Sequence, residues 1–500
     1  MMYSSSRGQA GSVSAAEAIK MGIAPDGGLF VPDYVPRIDA ATLTSLGGMN
    51  YQARARQILG LYLRDFEAAE IARCVDAAYN TGSFDDARIA PLVPLDAGVF
   101  VQELWHGPTC AFKDMALQIL PHLMTTSAAK TGETDEIVIL VATSGDTGKA
   151  ALEGFKDVDG IRIVVFYPVD GVSQVQKRQM VTQTGKNVTV AAVEGNFDDA
   201  QNGVKQIFAD PAFIGKLAAH GMKMSSANSI NWGRLVPQVV YYVSAYADLL
   251  TGGHIGAGEE VNVVVPTGNF GNILAAYYAS RMGVPIKRLI CASNINYVLT
   301  DFINSGIYDR RRDFARTISP SMDILISSNL ERLLFEVTGH DAGKVKAWMQ
   351  DLQAQGYYEV DREVKAQVQA AFWAGYASDD ETRATIRSVW ENNGYLLDTH
   401  TAVGVDVYRK YVRSSGDQAV TIIVSTASPY KFSQSVAEAI MGSERLQGMD
   451  EFAIAQALAE YTGKPIPAAL RDIEKRPILH RTVCPKQEMG QVVLDYLKIG

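Results

Sequence analysis

One lysine of this chain stands in unusual company. Lys113 closes the run Trp105 to Asp114, WHGPTCAFKD, among small, apolar and turn-forming residues. His106-Gly107-Pro108-Thr109 reads as a turn, because glycine permits unusual dihedrals and proline fixes its own. After the lysine, Ala116, Leu117, Leu120 and Leu123 recur at a spacing near one helical turn, which predicts a helix over 114–129. Lys113 therefore sits at a loop-to-helix junction. The helix dipole and the loss of water among apolar neighbours both disfavour an ammonium there. An amine with a lowered pKa is a nucleophile, and its common use is a Schiff base with a carbonyl cofactor. Composition alone leaves Lys113 as one lysine among many, with its stem along apolar surface.

A second constellation changes that balance. The apolar strand 261–265 runs into Pro266-Thr267-Gly268-Asn269-Phe270-Gly271-Asn272 and then into a helix, 273–281. A glycine-rich turn between strand and helix lets backbone amides approach a phosphate, and the helix dipole adds favourable charge. The loop is neither GxGxxG nor a Walker motif, so dinucleotides and triphosphates are disfavoured and a cofactor monophosphate fits. A related arrangement follows the strand 137–142, where Thr143-Ser144-Gly145-Asp146-Thr147-Gly148 leads into a helix from Lys149. This is not a P-loop: Thr143 stands where the first glycine belongs, and Ala150 follows the lysine. A third helix start, Asn228-Ser229-Ile230-Asn231-Trp232-Gly233-Arg234, opens a helix over 234–249. On spacing alone its asparagines and serine are ordinary caps.

These motifs, in this order, resemble the threonine synthase family. HGPTCAFKD is similar to the family's lysine motif, APDGGLFVP to its opening, NSINWGR to its NSINWxR block and GNFGN to its phosphate loop. ISPSMDILISSNLERLL (318–334) resembles a further block, to which helix and turn but no chemistry can be given. Departures are local. Ser6 replaces a threonine in the opening, and Thr399 replaces proline in DTHTAVG. Ser428 and Tyr430 replace histidine and alanine in the family's STAHPAKF, and Asp146 stands where related folds often carry asparagine.

The resemblance implies a fold-type II pyridoxal 5'-phosphate (PLP) enzyme of the tryptophan synthase β-like class. The longer bacterial and fungal type is indicated. Lys113 would carry the cofactor. Gly268, Asn269, Phe270, Gly271 and Asn272 would hold its phosphate, and Thr426 would face the pyridine nitrogen. Ser144, Asp146, Thr147, Asn228 and Arg234 would meet the substrate, with Arg234 as the clamp on a second phosphate. The implied reaction turns O-phospho-L-homoserine and water into L-threonine and phosphate. Alternatives from the same residues are another fold-type II lyase, dehydratase-like, and a catalytically silent PLP-binding homologue. A lone His400 is more often structural than catalytic.

The elements around these residues predict an α/β fold. Strands and helices alternate from about residue 96, which implies parallel sheets with right-handed crossovers. Helices are expected at 173–183 and 197–209, and strands at 161–167 and 187–193. The expected organisation is an N-terminal unit, 1–95, a large PLP-binding lobe, 96–130 with 232–500, and a smaller mobile lobe, 131–231. Residues 340–393 read as amphipathic helices. The net charge of −9 argues against a nucleic-acid partner. No run of about 18 apolar residues is present, so no membrane span is expected. The start MMYSSSRGQAG has no apolar stretch of a secretory signal. The four cysteines are far apart and the seven histidines show no ligand spacing, so no metal site and a reducing, cytoplasmic setting are expected. The oligomeric state is not legible.

Overall fold

The computed structural model of the chain describes residues 1–143, 145–169 and 172–500. Two parallel-sheet layers carry it, with an N-terminal unit packed alongside, as the α/β class requires. In that unit the strand β1 (Tyr3–Ser5) pairs antiparallel with β2 (Phe30–Pro32), which follows the Asp26-Gly27-Gly28 turn. The larger sheet has six strands in the order β13 (Phe372–Tyr376), β10 (Ile286–Ser293), β9 (Val261–Pro266), β14 (Thr421–Ser425), β4 (Val99–Glu103) and β3 (Leu92–Asp96). All its pairings are parallel except β3 with β4. The smaller sheet is wholly parallel, ordered β15 (Thr482–Pro485), β7 (Val188–Glu194), β6 (Ile161–Pro168), β5 (Glu136–Ala142) and β8 (Met222–Ser225). A two-stranded antiparallel sheet, β11 (Ile307–Asp309) with β12 (Tyr357–Glu359), completes the set. The strands β5, β6 and β9 are nearly continuous Val and Ile runs, buried on both faces, as helix-covered parallel strands must be.

Three expectations change. The helix predicted over 114–129 is two helices, Asp114–Leu117 and Leu120–Lys130, because Pro121 lacks an N–H and belongs in a first turn. The segment 340–393 contains, besides its helices, two strands, β12 and the edge strand β13, which their pairings with β11 and β10 make strands. The C-terminal strand β15 joins the smaller sheet, so the last residues pack there and not on the lobe expected to hold all of 232–500. The expected boundary at residue 95 also falls inside β3.

The helix Trp232–Thr251 is almost wholly buried and packs against Gly271–Met282, Tyr51–Tyr62 and the short helix after the lysine. Its first residue, Trp232, meets Tyr3 and Tyr62 of the N-terminal unit and Tyr278. Beside it lies a polar hub. Glu331 accepts from the Ser6 hydroxyl at 2.6 Å and from two Arg7 nitrogens at 2.9 Å. The next residue, Arg332, is fully buried; it donates to the carbonyls of Phe30 and Ile230 and to Asn329. The family blocks SSSRG and SSNLERLL, which carry no chemistry of their own, are thus the two sides of one junction. Arg332→Met leaves two buried carbonyls without donors and is expected to cost about 3 kcal/mol. A urea-unfolding midpoint that does not move would contradict this.

Candidate active site

The lysine turn is fixed by the strand end beside it. Ala111 bridges Ala427 antiparallel, the Phe112 amide donates to the Thr426 carbonyl at 2.8 Å, and the Ser428 amide donates to the Cys110 carbonyl at 3.0 Å. Cys110 is left-handed, with φ of 58°, a conformation that costs energy for a residue with a side chain. Asp114, buried, closes the turn by accepting from the amide and hydroxyl of Thr109 at 2.8 and 2.7 Å. Burial pushes its carboxyl up to about 6, against the Thr109 bonds.

The Lys113 side chain is 12% exposed and its Nζ lies 3.8 Å from Oδ2 of Asp146 and 4.8 Å from the Phe112 ring centre. Burial lowers its pKa to about 8; Asp146 opposes the shift, and the cations of Lys431 and Arg234 add to it. Desolvation is therefore the main cause. The helix that follows is only four residues long and adds little dipole, contrary to the first of the two expected effects.

Asp146 opens the helix Asp146–Phe155 after β5 and reaches across from the smaller lobe. Its Oδ1 accepts from Lys431 Nζ at 2.7 Å and from Gln176 Nε2 at 2.8 Å, and its Oδ2 faces the Ser321 hydroxyl at 3.4 Å. Burial alone would raise its pKa, but Lys431 and Lys113 outweigh burial and hold it well below the usual carboxylate range. Lys431 has no exposed side-chain surface; it also donates to the Thr109 carbonyl at 2.9 Å. Lys431 lies in Ser425–Phe432, STASPYKF, and the sequence alone assigns it no role. The signal available was a lysine in a Ser-Pro turn at a strand end. A cleft of about 550 Å³ between residues 172–174 and 431–454 reaches this lysine.

The glycine loop makes a cradle. Phe270 buries its ring and holds the turn with φ of 62°. Among the described residues, the amides of 268–272 find no protein acceptor. A Cβ on Gly268 would stand 2.8 Å from the Ser321 carbonyl, so only glycine fits. The side-chain oxygen of Asn272 is taken by the Tyr241 and Tyr242 hydroxyls, which leaves its buried Nδ2 without a partner among the described residues. Five amides at a helix start and an unpaired amide NH₂ are a donor set for a phosphate monoester, and the loop fits the expected cofactor. Asn269 itself is exposed, and its carbonyl accepts from Asn329, whose Nδ2 also donates to Ser229.

Arg234, 3% exposed, donates to the Ala227 carbonyl at 2.9 Å; its buried Nε has no partner and no carboxylate faces it among the described residues. Burial brings its pKa down to about 10, so it remains a cation at neutral pH. Thr147 and Asn228 are half-buried, and the Thr426 side chain is buried; none of the three side chains engages a protein partner among the described residues. Ser144, expected at the substrate, lies outside the described residues. Lys149 is bonded to Glu153 at 2.8 Å and to Gln183, which leaves it no anion to bind. His400 is structural: Asp398 sits 3.0 Å from its Nδ1 and the Ser321 amide donates to its Nε2, fixing the turn against which Gly268 rests.

Family models match nearly the whole chain: "Threonine synthase N terminus" over residues 2–79, "Pyridoxal-phosphate dependent enzyme" over 84–358 and "Threonine synthase, C-terminal" over 401–493. Threonine synthase-like 1 of Pongo abelii is 42% identical over 462 residues, 90% of this chain but 61% of its own length, so the chain spans about three fifths of that relative. Threonine synthase of Pseudomonas aeruginosa is 40% identical over 448 residues, 88% of this chain and 91% of its own. The crystal structure of PLP-bound threonine synthase from Brucella melitensis superposes with a TM-score of 0.87 at 40% identity, over 100% of this chain and 99% of that one.

Two outcomes follow from this geometry. Gly268→Ala is expected to weaken PLP binding by about tenfold or more, roughly 1.4 kcal/mol, measured by titrating the cofactor-free protein. The rate of PLP uptake, followed by visible absorbance, should rise with pH through about 8 as the Lys113 amine, the expected nucleophile, loses its proton. A flat profile between about pH 7 and 9 would contradict the lowered pKa.

Proposed function

The chain belongs to the threonine synthase family of PLP-dependent enzymes, and on that footing we propose that it converts O-phospho-L-homoserine and water to L-threonine and phosphate. The observation that carries the reading is the pairing of a desolvated lysine with two separate anion cradles. One is the amide-lined loop 268–272; the other centres on Arg234, a buried cation with no carboxylate facing it among the described residues. One cradle suits the cofactor's phosphate and the other the substrate's. A dehydratase substrate carries a carboxylate but no phosphate, and needs no second phosphate site.

PLP bound at Lys113 supplies an electron sink for the substrate carbon skeleton. The chain's residues do the rest. Lys113, freed when the substrate amine takes its place, removes the Cα proton and then moves protons at Cβ and Cγ as general base and acid. Its pKa near 8 suits both directions at neutral pH. Loss of a Cβ proton accompanies departure of the γ-phosphate, and water then adds at Cβ. Arg234, with hydroxyl and amide donors from Ser144, Thr147 and Asn228, holds the leaving phosphate through charge-assisted hydrogen bonds. Thr426 presents a hydroxyl to the pyridine nitrogen. The smaller lobe, residues 131–231 with the C-terminal strand, closes over the site and keeps water out until the addition step.

Mixing the PLP-loaded protein with O-phospho-L-homoserine should release threonine and phosphate in equal amounts. Phosphate with 2-oxobutyrate would indicate a dehydratase-like lyase. No product, with an absorbance change on adding substrate, would indicate a silent homologue. Lys113→Ala should abolish turnover. Arg234→Met should raise KM for the phosphorylated substrate by about 100-fold or more, the loss of a charge-assisted pair worth about 3 kcal/mol.

A further inference from the structure

Asp146 reaches Lys113 already engaged by another lysine. Its two oxygens divide the work: Oδ1 takes the Lys431 ammonium at 2.7 Å, and Oδ2 lies 3.8 Å from Lys113 Nζ. A bare carboxylate beside Lys113 would add a full negative charge next to the reacting amine and hold a proton on it. We propose that Lys431 is a positioning residue: it fixes Asp146 as one half of a neutral ion pair, so that the smaller lobe orients the Lys113 amine without making its surroundings anionic. The proposal rests on the reading of Lys113 as the cofactor-bearing lysine.

The surroundings favour this arrangement. Asp146 is faced by Gln176 from the helix Gln174–Val181, by Ser321 from the turn at Pro320–Met322, and by the two lysines. No further cation among the described residues pairs with it. Lys431 is faced by Asp146 and the Thr109 carbonyl, and its charge is felt by the Cys110 thiol and by Asp114. Lys113 is faced by Asp146, Lys431, Arg234 and Asp114. A lysine with no exposed surface is held in place by its partners, since an unpaired ammonium in that position would give up its proton. Two of those partners are in the lysine turn and the smaller lobe, so the ion pair forms only when both meet the strand end after β14.

The test is the pH titration of the visible absorbance of the PLP-loaded protein, which reports the protonation of the Lys113–cofactor linkage and does not need turnover. In Lys431→Met the uncompensated Asp146 carboxylate should move the midpoint up by about one unit or more. In Asp146→Asn the loss of the carboxylate beside Lys113 should move it down. The double variant Lys431→Met/Asp146→Asn restores a neutral pair and should return the midpoint to near that of the unaltered protein. If Lys431 only clamps the lobes together, the midpoint of Lys431→Met stays where it was, and the proposal is overturned. Should Lys431→Met fail to hold cofactor, Lys431→Gln keeps a donor to Asp146 without the charge and should show the same upward shift; an unshifted midpoint in it overturns the proposal equally. If Lys113→Ala leaves the pH-dependent absorbance intact, the reading of Lys113 fails instead, and the two failures are told apart.

Discussion

The constraint on which the site depends is a short seam of hydrogen bonds at the carboxyl end of β14. There the turn after the strand meets the turn before Lys113: Ala111 bridges Ala427, Phe112 donates to Thr426, and Ser428 donates to Cys110. Parallel strands end together at one edge of a sheet, and a crevice forms outside those ends. β4 delivers the lysine turn, β9 the glycine loop and β14 the Thr426 turn to the same edge, and they are neighbours in the sheet. The seam converts that proximity into fixed atoms. It places Lys113 against the wall made by Thr426 and Lys431, and it accounts for the left-handed backbone at Cys110. Backbone held in a costly conformation persists only where surrounding bonds over-determine it. The second costly residue, Phe270, lies in the other half of the site.

The N-terminal unit enters the site indirectly. Ser6 and Arg7 hold Glu331; Arg332, next in the chain, holds Phe30, Ile230 and Asn329; Asn329 in turn spans Asn269 and Ser229. One run of bonds thus joins the opening residues to both anion cradles. Their value lies in fixing the glycine loop against the segment that leads to Arg234. A buried arginine that satisfies carbonyls and an amide is suited to this, because its donors form a rigid planar fork.

What was legible in the sequence was whatever has a local cause. Lys113 beside a turn, the strand–glycine–helix pattern at 261–281, and the lone structural His400 could all be read, because turn chemistry and hydrophobic period act over a few residues. Pro121 was a readable signal for the break at 118–119, and the period of the flanking leucines masked it. Pairings between distant segments were not legible. Nothing near Lys431 announces that Asp146 is its partner, and nothing in Asn272 announces that two tyrosines of the preceding helix take its oxygen. β13 and β15 are strands because of their neighbours in space: FWAGY and TVCP show no alternation of their own. The resemblance pointed to these loops; the charges that meet across them are seen only in the structure.

The placement of β15 has a consequence for how the smaller lobe behaves in company. A parallel sheet left open beside β7 would offer a row of free N–H and C=O groups, a template on which another chain could grow. The chain covers that row with its own C-terminal segment, and the cover is short, four residues ending in Pro485. Proline has no N–H to donate, so the new outer edge is a poor template in its turn. The helix Met489–Leu497 then packs against the helix Phe197–Ala209 and β7 and joins the apolar cluster beneath the sheet. The C-terminal segment thus keeps the smaller lobe from joining its neighbours edge to edge.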